Sequence, residues 1–205
     1  MEYDDFIFPE RLKEQLEFLL NNPRAIPSPL CFYGLPAKGK TEFAKFLGEK
    51  LAKDTFYYDC NDYKHNEKFH KEIFMSSHTF PISSDVKREN NIMNKCFILD
   101  EWHNLPLKKQ DLFKTFFDNT PDKSIYIICC NTDSKNTLLN VLTSPIYSRC
   151  HKVRFDLFAR DLDEVIEKTK DKFPMLDDDF IRNNILDYRA ISREVKMKAV
   201  PEIIL

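Results

Sequence analysis

Two glycines, a lysine and a threonine stand at the spacing that a phosphate-wrapping loop requires. The stretch Gly34-Leu35-Pro36-Ala37-Lys38-Gly39-Lys40-Thr41 fits the pattern G-x-x-x-x-G-K-[ST]. Such a loop turns its backbone N–H groups inward, which needs φ values open to glycine and leaves no room for a Cβ beside the phosphates. Lys40 would reach the β- and γ-phosphates as a point charge, and Thr41 would offer its hydroxyl to Mg²⁺. The match carries weight because glycine is scarce. The chain of 205 residues has three, and the third, Gly48, falls inside a helical pattern. Average usage would supply roughly 14.

A second set of residues lies farther along. Cys96-Phe97-Ile98-Leu99 is followed by Asp100-Glu101, four apolar residues and two carboxylates that resemble a Walker B motif. In a parallel sheet, ligands bind at the carboxyl ends of the strands, so both acids would share the edge of the phosphate loop. Asp100 would then hold Mg²⁺ through water, and Glu101 would orient and polarise an attacking water. Taken alone, the pair also reads as solvated acids ending a strand. Ile125 to Cys130 ends in Asn131-Thr132, where an amide could bond the γ-phosphate or the attacking water without adding charge.

The elements needed to position these residues are legible. Pro29 to Tyr33 is a short apolar run suited to a buried strand, and Phe43, Phe46, Leu47 and Leu51 recur after the loop at helical spacing. The helix would begin at the loop and aim its amides and dipole at the phosphates. Leu12, Leu16, Leu19 and Leu20 predict an earlier helix; Thr55 to Cys60, Cys96 to Leu99, Ile125 to Cys130 and Val153 to Leu157 predict further strands. Helical stripes run through Phe69, Ile73 and Phe74, and through Leu112, Phe113, Phe116 and Phe117. Alternating strands and helices indicate a three-layer α/β domain with a mostly parallel sheet. From Phe158 onward, through Leu162, Val165, Ile166, Phe180, Ile181, Ile185, Leu186, Ile191 and Val195, helical patterns follow one another without strands. A small helical second domain is expected to begin near Leu157.

Composition bounds the function. Lys and Arg number 31 against 33 Asp and Glu, a formal net charge of −2, which excludes a generally basic nucleic-acid coat and makes any DNA contact local. No apolar stretch approaches membrane-spanning length, and the acidic start Glu2-Tyr3-Asp4-Asp5 is unlike a signal peptide, so a cytoplasmic protein without a membrane partner is expected. The six cysteines include no C-x-x-C pair and mostly fall in apolar runs, which favours reduced packing residues. His65 and His70 are spaced so that they do not share a helical face, against a metal site.

The phosphate loop, Asp100-Glu101, Asn131 and Thr143-Ser144-Pro145-Ile146-Tyr147-Ser148-Arg149-Cys150 together resemble an AAA+ ATPase. Ser148-Arg149-Cys150 specifically resembles the Ser-Arg-Cys signature of clamp-loader subunits, such as the small subunits of replication factor C and related phage and bacterial loaders. Tyr3-Asp4-Asp5-Phe6, Arg11-Leu12-Lys13 and a helix from Lys108 to Asp118 followed by Thr120-Pro121 also resemble family segments, so that the similarity runs from about Tyr3 to about Val195.

The resemblance implies a P-loop AAA+ core with a five-stranded parallel sheet over residues 1–156 and a helical lid over residues 157–205. It implies ATP and Mg²⁺ as cofactors, with Gly34 to Thr41 around the nucleotide and Thr41 and Asp100 toward the metal. Lys40, Glu101 and Asn131 would be catalytic. Arg149 would be an arginine finger reaching a neighbouring subunit's ATP, and Arg189, in Asp187-Tyr188-Arg189, would contact the γ-phosphate of its own subunit. The implied partners are other clamp-loader subunits, a sliding clamp and primer-template DNA, in the cytoplasm of a cell or of a phage or viral host. Lys87, Arg88, Lys108, Lys109 and Lys114 lie near segments with which loaders grip a duplex, although charges on a helix equally form a solvated face.

Departures from the family pattern are visible. Leu35-Pro36-Ala37-Lys38 stands where Pro-Pro-Gly-Thr is common, removing one usual glycine and adding a cation; Trp102-His103 follows the acids where smaller or acidic residues are usual. Clamp-loader subunits have a third, helical collar domain that holds their ring together, and the resemblance here extends only to the lid. Two other readings are a different DNA-directed P-loop ATPase, such as a viral Rep-type helicase, and a nucleotide-holding assembly subunit that does not turn ATP over.

Overall fold

The apolar run before the phosphate loop forms strand β1 (Leu30–Gly34), flanked by β4 (Ser124–Asn131) and β5 (His151–Arg154). With β2 (Ala52–Asp59) and β3 (Met93–Asp100) it makes a five-stranded sheet in the order β2-β3-β4-β1-β5, parallel throughout. This computed structural model describes residues 2–79, 93–121 and 123–199.

Side chains leave the sheet alternately to its two faces, and the core follows that period of two. Phe32, Ile98 and Ile127 join one buried cluster with Leu12, Leu16 and Leu19 of α1 (Glu10–Asn21) and Phe43 and Leu47 of α2 (Lys40–Leu51). Their chain neighbours Cys31, Phe97, Leu99, Tyr126 and Ile128 join the other, with Trp102, Phe113 and Phe117. A sheet covered on both faces explains why β4 is buried along nearly its whole length.

Phenylalanine does much of this packing beneath the loop. The ring of Phe155 lies 5.6 Å from Phe8 and 5.1 Å from Phe32, and Phe8 lies 5.8 Å from Phe43. All six cysteines are buried and none is in a disulfide.

On the second face come α3 (Cys60–Tyr63), α4 (Phe69–His78), α5 (Leu107–Gln110), α6 (Lys114–Asp118), α7 (Leu138–Val141) and α8 (Ser144–Arg149). After β5, α9 (Leu162–Lys172), α10 (Asp178–Asn184) and α11 (Tyr188–Ala199) gather around a third cluster that includes Val165, Ile181, Ile185 and Ile191. Asp177 caps α10 by accepting from the N–H groups of Asp179 and Phe180 at 2.9 and 3.2 Å. Among the described residues no helix is long and apolar enough to cross a membrane.

Several boundaries differ from the sequence expectation. β2 ends at Asp59, because that carboxylate accepts from Asn61 N–H at 2.9 Å and starts α3, which takes Cys60 out of the strand. The last strand ends at Arg154 and does not reach Leu157. Phe155 N–H still bonds Tyr33 C=O at 2.8 Å, but β1 stops at Gly34 and offers no further partner. The expected helix over Lys108–Asp118 is divided into α5, a 3₁₀ turn at Asp111–Phe113, and α6. Phe158, read as helical, instead precedes a 3₁₀ turn, with its N–H held by the Asp161 carboxylate at 2.8 Å.

Candidate nucleotide site

The loop after β1 departs from ordinary backbone at three places. Gly34 and Gly39 have φ of +142° and +80°, as the motif demands, and Ala37 adopts +59° at the position of the missing family glycine. The two glycines serve different needs. A Cβ on Gly34 would lie 2.6 Å from Asp156 Oδ1, whereas one on Gly39 would meet nothing nearer than Phe8 at 3.7 Å. At Gly34, therefore, the space is taken by a carboxylate of the chain itself. Asp156 accepts from Leu35 N–H at 2.6 Å and from Arg154 Nε at 2.8 Å, fixing the start of the loop.

α2 begins at Lys40, so the loop leads directly into a helix N-terminus. Lys40 Nζ donates to the carbonyls of Gly34 (3.0 Å) and Leu35 (2.6 Å), and burial lowers its pKa from the ordinary lysine value. Thr41 Oγ1 donates to Asp100 Oδ2 at 2.9 Å. Tyr57 OH donates to the same oxygen at 2.8 Å, and Glu101 N–H bonds the other at 2.9 Å.

Sheet register sets the rest. Gly34 pairs with Asn131, and Asp100 ends the strand beside β2. Glu101, at φ +51°, turns its carboxylate toward Asn131, whose Nδ2 donates to Oε1 and Oε2 at 3.1 and 3.3 Å. A non-glycine residue in the left-handed region costs of order 1–3 kcal/mol and persists where its surroundings dictate it. His103 Nε2 lies 3.2 Å from Glu101 Oε2, and the histidine pKa is lowered, chiefly by burial, with Glu101 opposing.

Ala37 to Thr41, Asp100, Glu101 and Asn131 line one cavity of about 800 Å³ between the sheet edge and the C-terminal helices. Gly34, Leu35 and Pro36 do not line it, and the last two side chains are exposed. Arg189 does, from the first turn of α11. Arg193 and Lys196 were absent from the sequence reading, yet they line it too; their spacing from Arg189 on one helix was the available signal. The lining also has an apolar share, with Phe6, Ile7, Phe173, Tyr188 and Ile191.

Lys38 is part of that lining, with a side chain that is largely buried. The amine read as an extra cation beside the phosphates is buried and donates to Leu186 C=O, 5.6 Å from the centre of the Tyr188 ring. Burial pushes its pKa down to about 8. Beside it, Tyr188 N–H bonds Ala37 C=O at 3.2 Å and Tyr188 OH bonds Ile7 C=O at 2.7 Å.

Arg149 does not line the cavity. It ends α8, where Nε and Nη2 each bond a different oxygen of Asp118 at 2.7 Å, and Nη1 bonds Pro145 C=O at 2.9 Å. Gln110 ties this region to the carboxylate loop: its buried amide donates to Leu105 and Val141 carbonyls and accepts from Thr143 N–H. Lys108 and Lys114 are exposed, Lys109 is half-buried, and none of the three faces the cavity. Lys87 and Arg88 lie outside the described residues.

No family model and no curated protein matches the sequence. Solved structures do. The RuvB Holliday junction branch migration motor of Thermotoga maritima superposes with a TM-score of 0.62 at 18% identity, over 95% of this chain and 63% of that one. The replication initiator DnaA bound to AMPPCP and single-stranded DNA gives 0.63 at 17%, over 97% and 64%. A DNA polymerase III gamma subunit-related protein of T. maritima gives 0.59 at 14%, over 89% and 58%. The chain thus spans less than two thirds of the length of each. The likeness to these structures is one of fold, an α/β domain with a five-stranded parallel sheet between helices, followed by a group of helices.

Proposed function

We propose that this chain is a clamp-loader-like ATPase: it binds Mg²⁺-ATP in the cavity, hydrolyses it at a contact between subunits, and couples that step to loading a sliding clamp on primer-template DNA. The observation that carries the reading is the meeting of Lys40, Thr41, Asp100, Glu101 and Asn131 on one cavity that Arg189 also lines. The apolar lining residues Phe6, Phe173 and Tyr188 suit a base, and the residues of the loop suit phosphates.

Each residue has a role that its surroundings allow. Lys40 exchanges carbonyl partners for phosphate oxygens, a charge-assisted gain. Thr41 and Asp100 present oxygen donors 2.9 Å apart, the chemistry a hard divalent cation takes. When bound, Mg²⁺ neutralises charge on the phosphate oxygens. Glu101 accepts a proton from the attacking water, and the Asn131 amide holds that carboxylate in place. Arg149 lies away from its own cavity and would exchange Asp118 for a neighbouring copy's nucleotide; such a cation is worth about 10³–10⁵ in turnover. The described neighbours include a branch migration motor, an initiator bound to single-stranded DNA and a polymerase III gamma-related protein, which supports a DNA-directed role.

A mixing experiment tests this. Glu101→Gln and Arg149→Ala should each bind ATP and turn it over at least about 100-fold more slowly than the native chain. Mixed, they should recover activity, because one supplies the arginine and the other the carboxylate. Native turnover should rise with primed DNA and a clamp. Absence of turnover under all these conditions refutes the ATPase reading, and strand unwinding by the chain points to a helicase.

A further inference from the structure

His103 is the residue beside the carboxylates that the family pattern left without a role. It sits in the 3₁₀ turn Trp102–Asn104 that follows β3, and its ring has distinct partners on its two nitrogens. Nδ1 faces the main-chain N–H of Asn131 at 3.2 Å. That N–H can only donate, so Nδ1 carries the lone pair and the ring proton belongs on Nε2. Nε2 lies 3.2 Å from Glu101 Oε2 and donates to it.

The backbone of β4 thereby chooses the tautomer, and the tautomer supplies a donor to Glu101. The same carboxylate takes the Asn131 side chain on Oε1 and Oε2. Two of its supports trace to Asn131, one through the amide and the other through the main chain and the imidazole; Asn104 Nδ2 adds a longer contact to Oε2 at 3.5 Å. Glu101 pairs with no lysine or arginine side chain among the described residues and keeps lone pairs free for a water. A carboxylate on a left-handed residue in a turn needs such support, because the turn alone does not fix its direction.

We propose that His103 is a positioning residue for hydrolysis: its neutral Nε2–H tautomer, set by Asn131 N–H, aims the Glu101 carboxylate. This rests on the ATPase reading above, with Glu101 as the base.

The test uses the full chain under conditions where the native protein turns ATP over. His103→Ala should lower kcat by about 10- to 100-fold, the range for a lost supporting hydrogen bond behind a reactive group, with KM for ATP and binding of a fluorescent ATP analogue unchanged. His103→Gln can still present an N–H toward Glu101 and should recover most of the loss. His103→Asn is too short to reach and should not. In a Glu101→Gln background, His103→Ala should cost nothing more, since a support acts only through what it supports. Equal losses for Gln and Asn, a loss in analogue binding parallel to kcat, a further loss in the Glu101→Gln background, or faster turnover in His103→Ala would each overturn the proposal. If Glu101→Gln itself leaves turnover intact, the ATPase assignment of Glu101 fails instead.

Discussion

Gly34→Ala tests the finding that the first motif glycine is required by the protein's own carboxylate. The added Cβ would sit 2.6 Å from Asp156 Oδ1, 3.0 Å from its Cγ and 3.1 Å from its main-chain nitrogen. The carboxylate cannot swing aside freely, because it holds Leu35 N–H on one oxygen and Arg154 Nε on the other. Giving up a hydrogen bond to a charged group costs about 1.5–3 kcal/mol. Alanine at φ +142° adds about 1–3 kcal/mol of backbone strain. The expected destabilisation is then about 2.5–6 kcal/mol, a large share of the stability of an ordinary domain. Gly39→Ala meets no close atom and should cost only the left-handed penalty, about 1–2 kcal/mol.

Urea unfolding followed by fluorescence of the single, fully buried Trp102 measures both. The cause is isolated by repeating Gly34→Ala in an Asp156→Ala background, where the carboxylate part of the cost disappears and the two changes become less than additive by about 1.5–3 kcal/mol. Equal costs at the two glycines, or strict additivity with Asp156→Ala, would refute the reasoning.

Two other substitutions probe the same loop. Ala37→Gly relieves a left-handed alanine and, after the extra chain entropy of glycine, should stabilise the protein by about 0.5–1 kcal/mol in the same urea assay. Lys38, with a pKa near 8 in the fold against an ordinary 10.5, is deprotonated in the folded chain before the unfolded one. The unfolded state therefore binds more protons between about pH 8 and 10.5, and native stability should rise across that window relative to Lys38→Met, measured as the difference in unfolding midpoint between pH 7.5 and pH 10.

Much of the site was legible because its parts are local. The loop pattern, the strand before it and the helix after it are contiguous, and the acids of Asp100-Glu101 and the amide of Asn131 each end an apolar run. Parallel register then brings strand ends together without further information. What the sequence did not reveal depends on meetings across the fold. Asp156 matters because β5 lies against β1, Tyr57 because β2 lies against β3, and Asp118 because α6 reaches Arg149. The overlong β5 has the same origin, since a strand ends where its neighbour stops offering partners. The partner of Lys38 was out of reach as well, because a motif gives a position in a loop and says nothing of a carbonyl nearly 150 residues later.

The bonds from Lys38 to Leu186 and from Tyr188 to Ala37 and Ile7 have a mechanical meaning. They fasten the third C-terminal helix to the tip of the phosphate loop and to the N-terminal arm, so these three pieces move as a linkage. A swing of that helix away from the sheet has to draw on the loop at Ala37, where the backbone is already strained, before the cavity widens. Entry or exit of a ligand would then be coupled to reshaping of the loop, through one main-chain bond and two bonds from side chains to carbonyls.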